Sequence, residues 1–244
     1  MRKAFVVLLA VVLTGLFVAS LVHAQEGRSV VLRANGQVIL KDADGEFGTL
    51  ELNLHNSNWK YASQADATAQ CEDQAGGGKA FTGTLAVPDV AGAGMSFLET
   101  ISQGDDGLHV IYELKPSGPM ILNGLQISLI LPAERWAGQQ LVVKSAEAAD
   151  RTVPLPRTLN PNQWQLGTIE GNAVQTGADA AKALTLKIDK TYGLILHDLR
   201  QWERDEFEIR IPILQEDQGK MLGTNDRFDV EITLGPGPIA ATGP

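Results

Sequence analysis

Phe207-Glu208-Ile209-Arg210-Ile211-Pro212-Ile213 places an apolar side chain at every second position. That is the period of a β-strand, whose side chains alternate between two faces, and not the 3.6-residue period of a helix. The same alternation recurs in Phe228-Asp229-Val230-Glu231-Ile232-Thr233-Leu234. It recurs again where Leu108, Val110, Tyr112 and Leu114 interleave with His109, Ile111, Glu113 and Lys115. Each set turns one face to a core and the other to water or to a second layer.

Working outward, Asn35-Gly36 separates the runs 28–34 and 37–42, and predicts a hairpin with a type I′ turn, which needs positive φ at both central residues. Asp106-Gly107 predicts a second reversal, turning the chain back from the run 95–102. Further strands are expected at 49–54, 79–87, 124–131, 140–145, 152–155, 163–169, 183–188 and 193–198. The segments 66–73 and 178–182 read as a helical turn or a loop. No stretch carries a helical stripe. Many short strands divided by Gly, Pro, Asn and Asp predict an all-β fold, an antiparallel β-sandwich with few or no helices. The expected organisation is a signal peptide over 1–24, a single sandwich domain over 25–234, and a flexible C-terminal tail over 235–244.

The signal peptide is read from three features. Met1-Arg2-Lys3 is basic, residues 4–22 carry no charge, and Val22-His23-Ala24 has the small-x-small pattern of a cleavage site. The alternative is an uncleaved anchor, since about 20 apolar residues span a bilayer. Cleavage would remove Arg2 and Lys3 and take the formal charge from -9 to -11. The mature protein is therefore expected to be exported, periplasmic or extracellular, with no membrane attachment. Such an acidic chain is a poor partner for nucleic acid, whose binding rests on cationic neutralisation of phosphates. Cys71 is the single cysteine, so no disulfide framework exists, and an inert or partly buried thiol is expected.

Several catalytic motifs are absent. There is no His-Glu-x-x-His, no Gly-x-Ser-x-Gly and no phosphate-cradling loop. Asp42-Ala43-Asp44-Gly45-Glu46 starts like a calcium loop, but Phe47 and Asn53 stand where that loop needs Gly and Glu, so a turn between strands is the better reading. No metal, cofactor or catalytic set is implied. His109 falls on the non-core face of its strand and reads as a surface residue.

Four tryptophans follow the leader: Trp59, Trp136, Trp164 and Trp202. An indole in a polar loop can stack on the C–H face of a sugar, whereas most aromatics fill cores. Trp59 lies in Asn56-Ser57-Asn58-Trp59-Lys60-Tyr61, an amide-rich, aromatic surround. Trp202 lies in the charged segment His197-Asp198-Leu199-Arg200-Gln201-Trp202-Glu203-Arg204-Asp205-Glu206. A carboxylate pair there could serve a glycosidic bond. The structural alternative is an Asp198–Arg200 ion pair at a strand end, with Trp202 plugging the sandwich edge. The candidate carbohydrate-binding residues are Trp59, Tyr61, Asn56, Asn58, Trp202 and Arg200.

The order of segments resembles the galactose mutarotase-like supersandwich domains of secreted bacterial carbohydrate-active proteins. The resemblance rests on the opening hairpin Gly36–Gly45, the Trp59 strand, and Phe81-Thr82-Gly83-Thr84-Leu85-Ala86-Val87-Pro88. It continues in Leu131-Pro132-Ala133-Glu134-Arg135-Trp136-Ala137-Gly138 and in Leu196-His197-Asp198-Leu199-Arg200-Gln201-Trp202. It implies a supersandwich fold. In that superfamily epimerases use a His and a carboxylate, lyases use Tyr, His or Arg, and other members are noncatalytic accessory modules. No catalytic pair aligns here. The leading expectation is a secreted noncatalytic carbohydrate-binding protein with a glycan partner. The alternatives are an exported polysaccharide lyase or glycoside hydrolase, and a structural or protein-interaction module of the cell envelope.

Overall fold

The computed structural model describes residues 28–146, 148–176, 183–235 and 240–242. The signal-peptide reading over 1–24 and the 178–182 segment lie outside the described residues. The strands are β1 (Ser29–Leu32), β2 (Val38–Asp42), β3 (Gly45–Asn56), β4 (Tyr61–Ser63), β5 (Thr68–Asp73), β6 (Lys79–Ala86), β7 (Gly94–Gly104) and β8 (Gly107–Pro116). They continue as β9 (Met120–Pro132), β10 (Gln140–Lys144), β11 (Arg151–Pro154), β12 (Gln165–Thr176), β13 (Thr185–Asp198), β14 (Glu206–Leu222), β15 (Phe228–Gly235) and β16 (Ala240–Thr242). One short helix, α1 (Ala133–Trp136), and two 3-10 turns complete the described elements. No helix among the described residues is long and apolar enough to cross a membrane.

The strands join in the order β16-β1-β2-β3-β9-β14-β13-β15-β8-β7-β6-β5, with β4 on β3 and with β12, β10 and β11 branching from β13. Every pairing is antiparallel except β1 with β16. The sheet closes into a sandwich because β13 belongs to both layers. Its first part, Thr185–Ile188, pairs with β15, and its last part, Ile195–Asp198, pairs with β14. The all-β sandwich expected from the alternation is what forms.

The core follows the alternation. Leu50, Leu52 and Leu54 of β3, Leu125, Ile127 and Leu129 of β9, and Phe207, Ile209 and Ile211 of β14 face inward. Phe97, Val110, Tyr112 and Ile232 of the other layer belong to the same cluster. Trp136 is buried and donates from Nε1 to the Phe47 carbonyl at 2.7 Å, so this indole fills the core edge. Arg135 beside it clamps Asp42 at 3.1 and 2.6 Å, and Asp42 Oδ1 accepts from the Asp44 N–H at 2.9 Å. The acidic cluster is thus a turn between β2 and β3.

Four local readings are corrected. The Asn35-Gly36 turn is a three-residue loop in which Arg33 N–H donates to Gln37 O at 3.0 Å, and only Gly36 takes positive φ (92°). Gly is required at 36 on two counts, since a Cβ there would also run into Glu99 and Gln64. Residues 68–73 are strand β5, because pairing with β6 overrides a weak local preference. The expected strands 183–188 and 193–198 are one strand; β12 pairs with both parts, and a register shift between Gly171 and Ala173 absorbs the difference. Cys71 is free but exposed, because β5 is the last strand of the sheet. In the segment 235–244, Gly235 ends β15 and Ala240–Thr242 forms β16 beside β1, and 236–239, 243 and 244 lie outside the described residues.

The Glu99 carboxyl is buried among core residues of β7, where Phe97 and Ile101 flank it in the alternation. Glu99 accepts from Gln64 Nε2 at 2.7 Å, while its Oε1 has no hydrogen-bond partner among the described residues. Burial pushes its pKa up to about 8, against the smaller opposing hydrogen bonds of Tyr112 and Gln64. The folded protein therefore holds a proton that the unfolded chain releases above 4.5. Stability should fall as pH rises from 4.5 to about 8, by a total on the order of 5 kcal/mol, and then level off. Glu99→Gln should flatten that slope and leave the protein more stable than wild type at pH 8. Urea unfolding at several pH values measures this, and an unchanged slope would refute it.

Candidate functional site

The outer face of the sheet formed by β3, β9, β14 and β13 is polar but buried. Register places Glu51 opposite Ser128, Ser128 opposite Arg210, and Arg210 opposite Ile195. The neighbouring row runs from Ile130 through Glu208 to His197. These are the positions between the core residues, so alternation sends them all to one side. Polar groups away from water must satisfy each other, and around Glu208 they do. Ser128 Oγ donates to Glu208 Oε1 at 2.6 Å. Arg210 Nη2 donates to Glu208 Oε2 at 3.0 Å, and His197 Nδ1 lies 3.2 Å from the same oxygen.

Loops raise walls above this floor. Together they enclose a cavity of about 620 Å³, with Trp59, Tyr61, Trp164 and Trp202 in the walls and Ile195, Glu208 and Arg210 in the floor. His55, His197, Arg204, Gln215 and Asp217 also line it. Gln215 and Asp217 come from an excursion of β14, where pairing with β9 jumps from Gln215 to Lys220.

The first wall is the hairpin between β3 and β4. Asn56 N–H donates to Lys60 O at 3.0 Å, and Asn56 Oδ1 accepts from the N–H groups of Asn58 and Lys60 at 2.8 and 2.9 Å. Its Nδ2 donates to Pro88 O at 2.9 Å. This leaves Trp59 at the position where φ turns positive (60°), a place that favours glycine. The indole is 40% exposed and meets His55 at 5.5 Å between ring centres; His55 meets Tyr61 at 5.4 Å. The Tyr61 hydroxyl lies 2.9 Å from the Asn53 amide and 3.2 Å from Glu51 Oε1.

The second wall is the 3-10 turn Leu199–Trp202 that follows β13. Buried Asp198 caps it, accepting from Arg200 N–H at 3.2 Å, and Glu203 ends it with φ of 62°. Arg200 grips Asp198 at 2.8 and 2.7 Å, donates to the Pro156 and Arg157 carbonyls, and lies over the Phe207 ring at 4.8 Å. Its guanidinium thereby ties the turn to the segment that leads to Trp164. Trp202 packs edge-on against Trp164 at 4.8 Å and is 51% exposed.

Electrostatics fix the floor. Burial alone would raise the Glu208 carboxyl, but His197, Arg210 and Ser128 outweigh it and hold its pKa at about 2. Burial, together with Arg210, pulls His55 down to about 4, so its imidazole is neutral at pH 7. Burial pushes Glu51 and Tyr61 upward, and Glu51 adds to the shift at Tyr61.

Of the six residues named from sequence, Trp59, Tyr61 and Trp202 line the cavity. Asn56 is buried and engaged in the hairpin, Asn58 stands outside the lining, and Arg200 braces the second wall. The Asp198–Arg200 ion pair forms, yet Trp202 opens onto the cavity instead of closing an edge. Sequence reasoning missed His55, Arg204, Glu208 and Arg210. The available signal was polar alternation, Glu51-x-Asn53-x-His55 and Glu208-x-Arg210, inside strands whose other face is fully apolar.

No protein-family model and no curated protein matches the chain. Solved structures do. A galactose mutarotase-like protein from Lactobacillus casei aligns with a TM-score of 0.54 at 12% identity, covering 85% of this chain and 99% of that one. The fold is galactose mutarotase-like. A galactose mutarotase related enzyme from Lactobacillus acidophilus aligns at 0.51 and 11% identity, over 86% of this chain and 95% of that one. A Synechocystis protein aligns at 0.52 and 10% identity, over 86% and 91%. In the galactose mutarotase-like fold of this chain, the cavity occupies the polar outer face of one layer.

The left-handed backbone at Trp59 costs about 1–3 kcal/mol. Trp59→Gly should therefore melt at the same temperature as wild type or higher, despite losing the His55 contact. A lower melting temperature by calorimetry would show that the indole packing outweighs the strain.

Proposed function

We propose that this chain is an exported, noncatalytic carbohydrate-binding protein whose site is the cavity over β3, β9, β14 and β13. The observation that carries the reading is that three tryptophans, Trp59, Trp164 and Trp202, open onto one cavity with a polar floor. Indole faces match the apolar C–H faces of a sugar ring, and floor groups suit its hydroxyls. The galactose mutarotase-like fold supports a carbohydrate-related role. The names of two structural neighbours point to galactose as the first sugar to try.

Two features favour binding over catalysis. Glu208 has both carboxylate oxygens engaged and a pKa near 2, which makes it a weak base. His55, pulled down to about 4 by burial, is likewise a weak base, and its ring packs against Trp59 and Tyr61. The ligand is neutral. Arg210 is matched by Glu208 and Arg204 by Glu206 at 2.7 Å, and the chain is acidic as a whole, so an anionic glycan meets repulsion and finds both arginines of the described cavity lining already paired.

Titration of the intrinsic tryptophan fluorescence with galactose and neutral galactose-containing glycans tests the reading. Binding should shift the emission, and Trp202→Ala should weaken affinity by about tenfold or more, equivalent to about 1.4 kcal/mol. Polarimetry should show no faster anomer interconversion of galactose than in buffer. No spectral change, and no retention in affinity electrophoresis across neutral glycans, would refute carbohydrate binding. Accelerated interconversion would refute the noncatalytic reading.

A further inference from the structure

The rings around the cavity fall into two groups. Trp59 and Tyr61 each meet His55 on the hairpin side. Trp164 and Trp202 meet each other and His197 on the side of the 3-10 turn, with His197 at 5.1 Å from Trp164 and 6.1 Å from Trp202. Among the described residues, no ring of one group contacts a ring of the other. Arg204, Arg210 and Glu208 are among the polar groups that line the same cavity, with Gln165, Gln215 and Asp217.

This arrangement has a chemical reading. Two apolar plates with polar groups among them complement a molecule with two apolar ring faces joined by a polar segment. One pyranose offers a ring face to one plate. Two linked pyranoses offer a face to each, with the linkage oxygen and its neighbouring hydroxyls free for the polar groups. The size agrees: 620 Å³ lies mid-way in the range of about 300–1,000 Å³ typical of pockets that enclose a drug-sized ligand, larger than one small ring requires. Both plates are preset. Trp59 is held by the Asn56-capped hairpin, and Trp202 by the Asp198 cap and the edge contact with Trp164. Preset side chains lower the ordering cost of binding, so a second plate adds affinity with little penalty.

We propose that the cavity takes a neutral oligosaccharide of at least two sugar rings, one seated on Trp59 and one on Trp202. The proposal rests on the reading of the cavity as a sugar site and adds the length of its ligand and the role of each wall. Arg204, Glu208 and Arg210 then face the linkage, and Trp164 positions Trp202.

The test is an array of neutral glycans of one to six rings, built from hexoses, pentoses and N-acetylhexosamines. Calorimetry follows on a retained glycan and on its single-ring unit. The expected result is retention of glycans with two or more rings, with affinity at least about tenfold above that of the single ring. Trp59→Ala should remove most of that gain, and so should Trp202→Ala, with circular dichroism confirming the fold. Trp59→Gly, which relaxes the strained hairpin, provides the same deletion if the alanine variant folds poorly. A single ring that binds as tightly as its oligomers, or variants that leave the chain-length gain intact, would overturn the two-ring proposal and leave carbohydrate binding standing. An array with no retained glycan would overturn both.

Discussion

A carboxylate with almost no access to water sits in the middle of a β-layer, and the site depends on its neutralisation. Glu208 lies between Ile130 and His197 on a face that alternation makes polar and that the walls then bury. An isolated charge there would cost several kcal/mol. Ser128, Arg210 and His197 each supply a hydrogen-bonding group, one from β9, one from β14 and one from β13. Three strands are thus fastened on their outer face by one side chain, while their inner faces are fastened by leucine and isoleucine. That double attachment gives the cavity a rigid floor.

The walls use a different device. Each is a short reversal fixed by an acidic or amide side chain that caps its own backbone, Asn56 in the first and Asp198 in the second. Each also includes a residue other than glycine with positive φ, Trp59 in one and Glu203 in the other. Strain of this kind persists only where the surroundings overdetermine it, and it collects at binding and catalytic sites. The aromatic plates of this cavity are therefore presented by stiff elements, although both belong to connections between strands.

How much of this was legible beforehand depends on the residue. Trp59 and Trp202 stood out because an indole among amides or charges is unusual for a core residue. Asn56 and Arg200 stood out for the same polar surroundings, yet both are engaged in holding backbone. Local composition does not tell a polar group that meets a ligand from one that caps a turn. His55, Glu208 and Arg210 were hidden for the opposite reason. In an alternating strand they occupy the positions normally left to water, and the burial of that second face depends on loops far away in the chain.

The sequence by itself determined most of the strands, the inward-facing core and the sandwich class, because period-two alternation is a local property and burial of the apolar face has few solutions. It also determined the acidic character that disfavours nucleic acid. Only the tertiary structure decided that residues 183–188 and 193–198 form one strand shared by two layers, and that β5 ends the sheet. Only it brought positions 55, 59, 61, 164, 197, 202, 208 and 210 around one cavity. The reason is physical: which strands lie side by side is set by non-local hydrogen bonding and by the curl of the sheet, and a site assembled across those pairings leaves no contiguous trace along the chain.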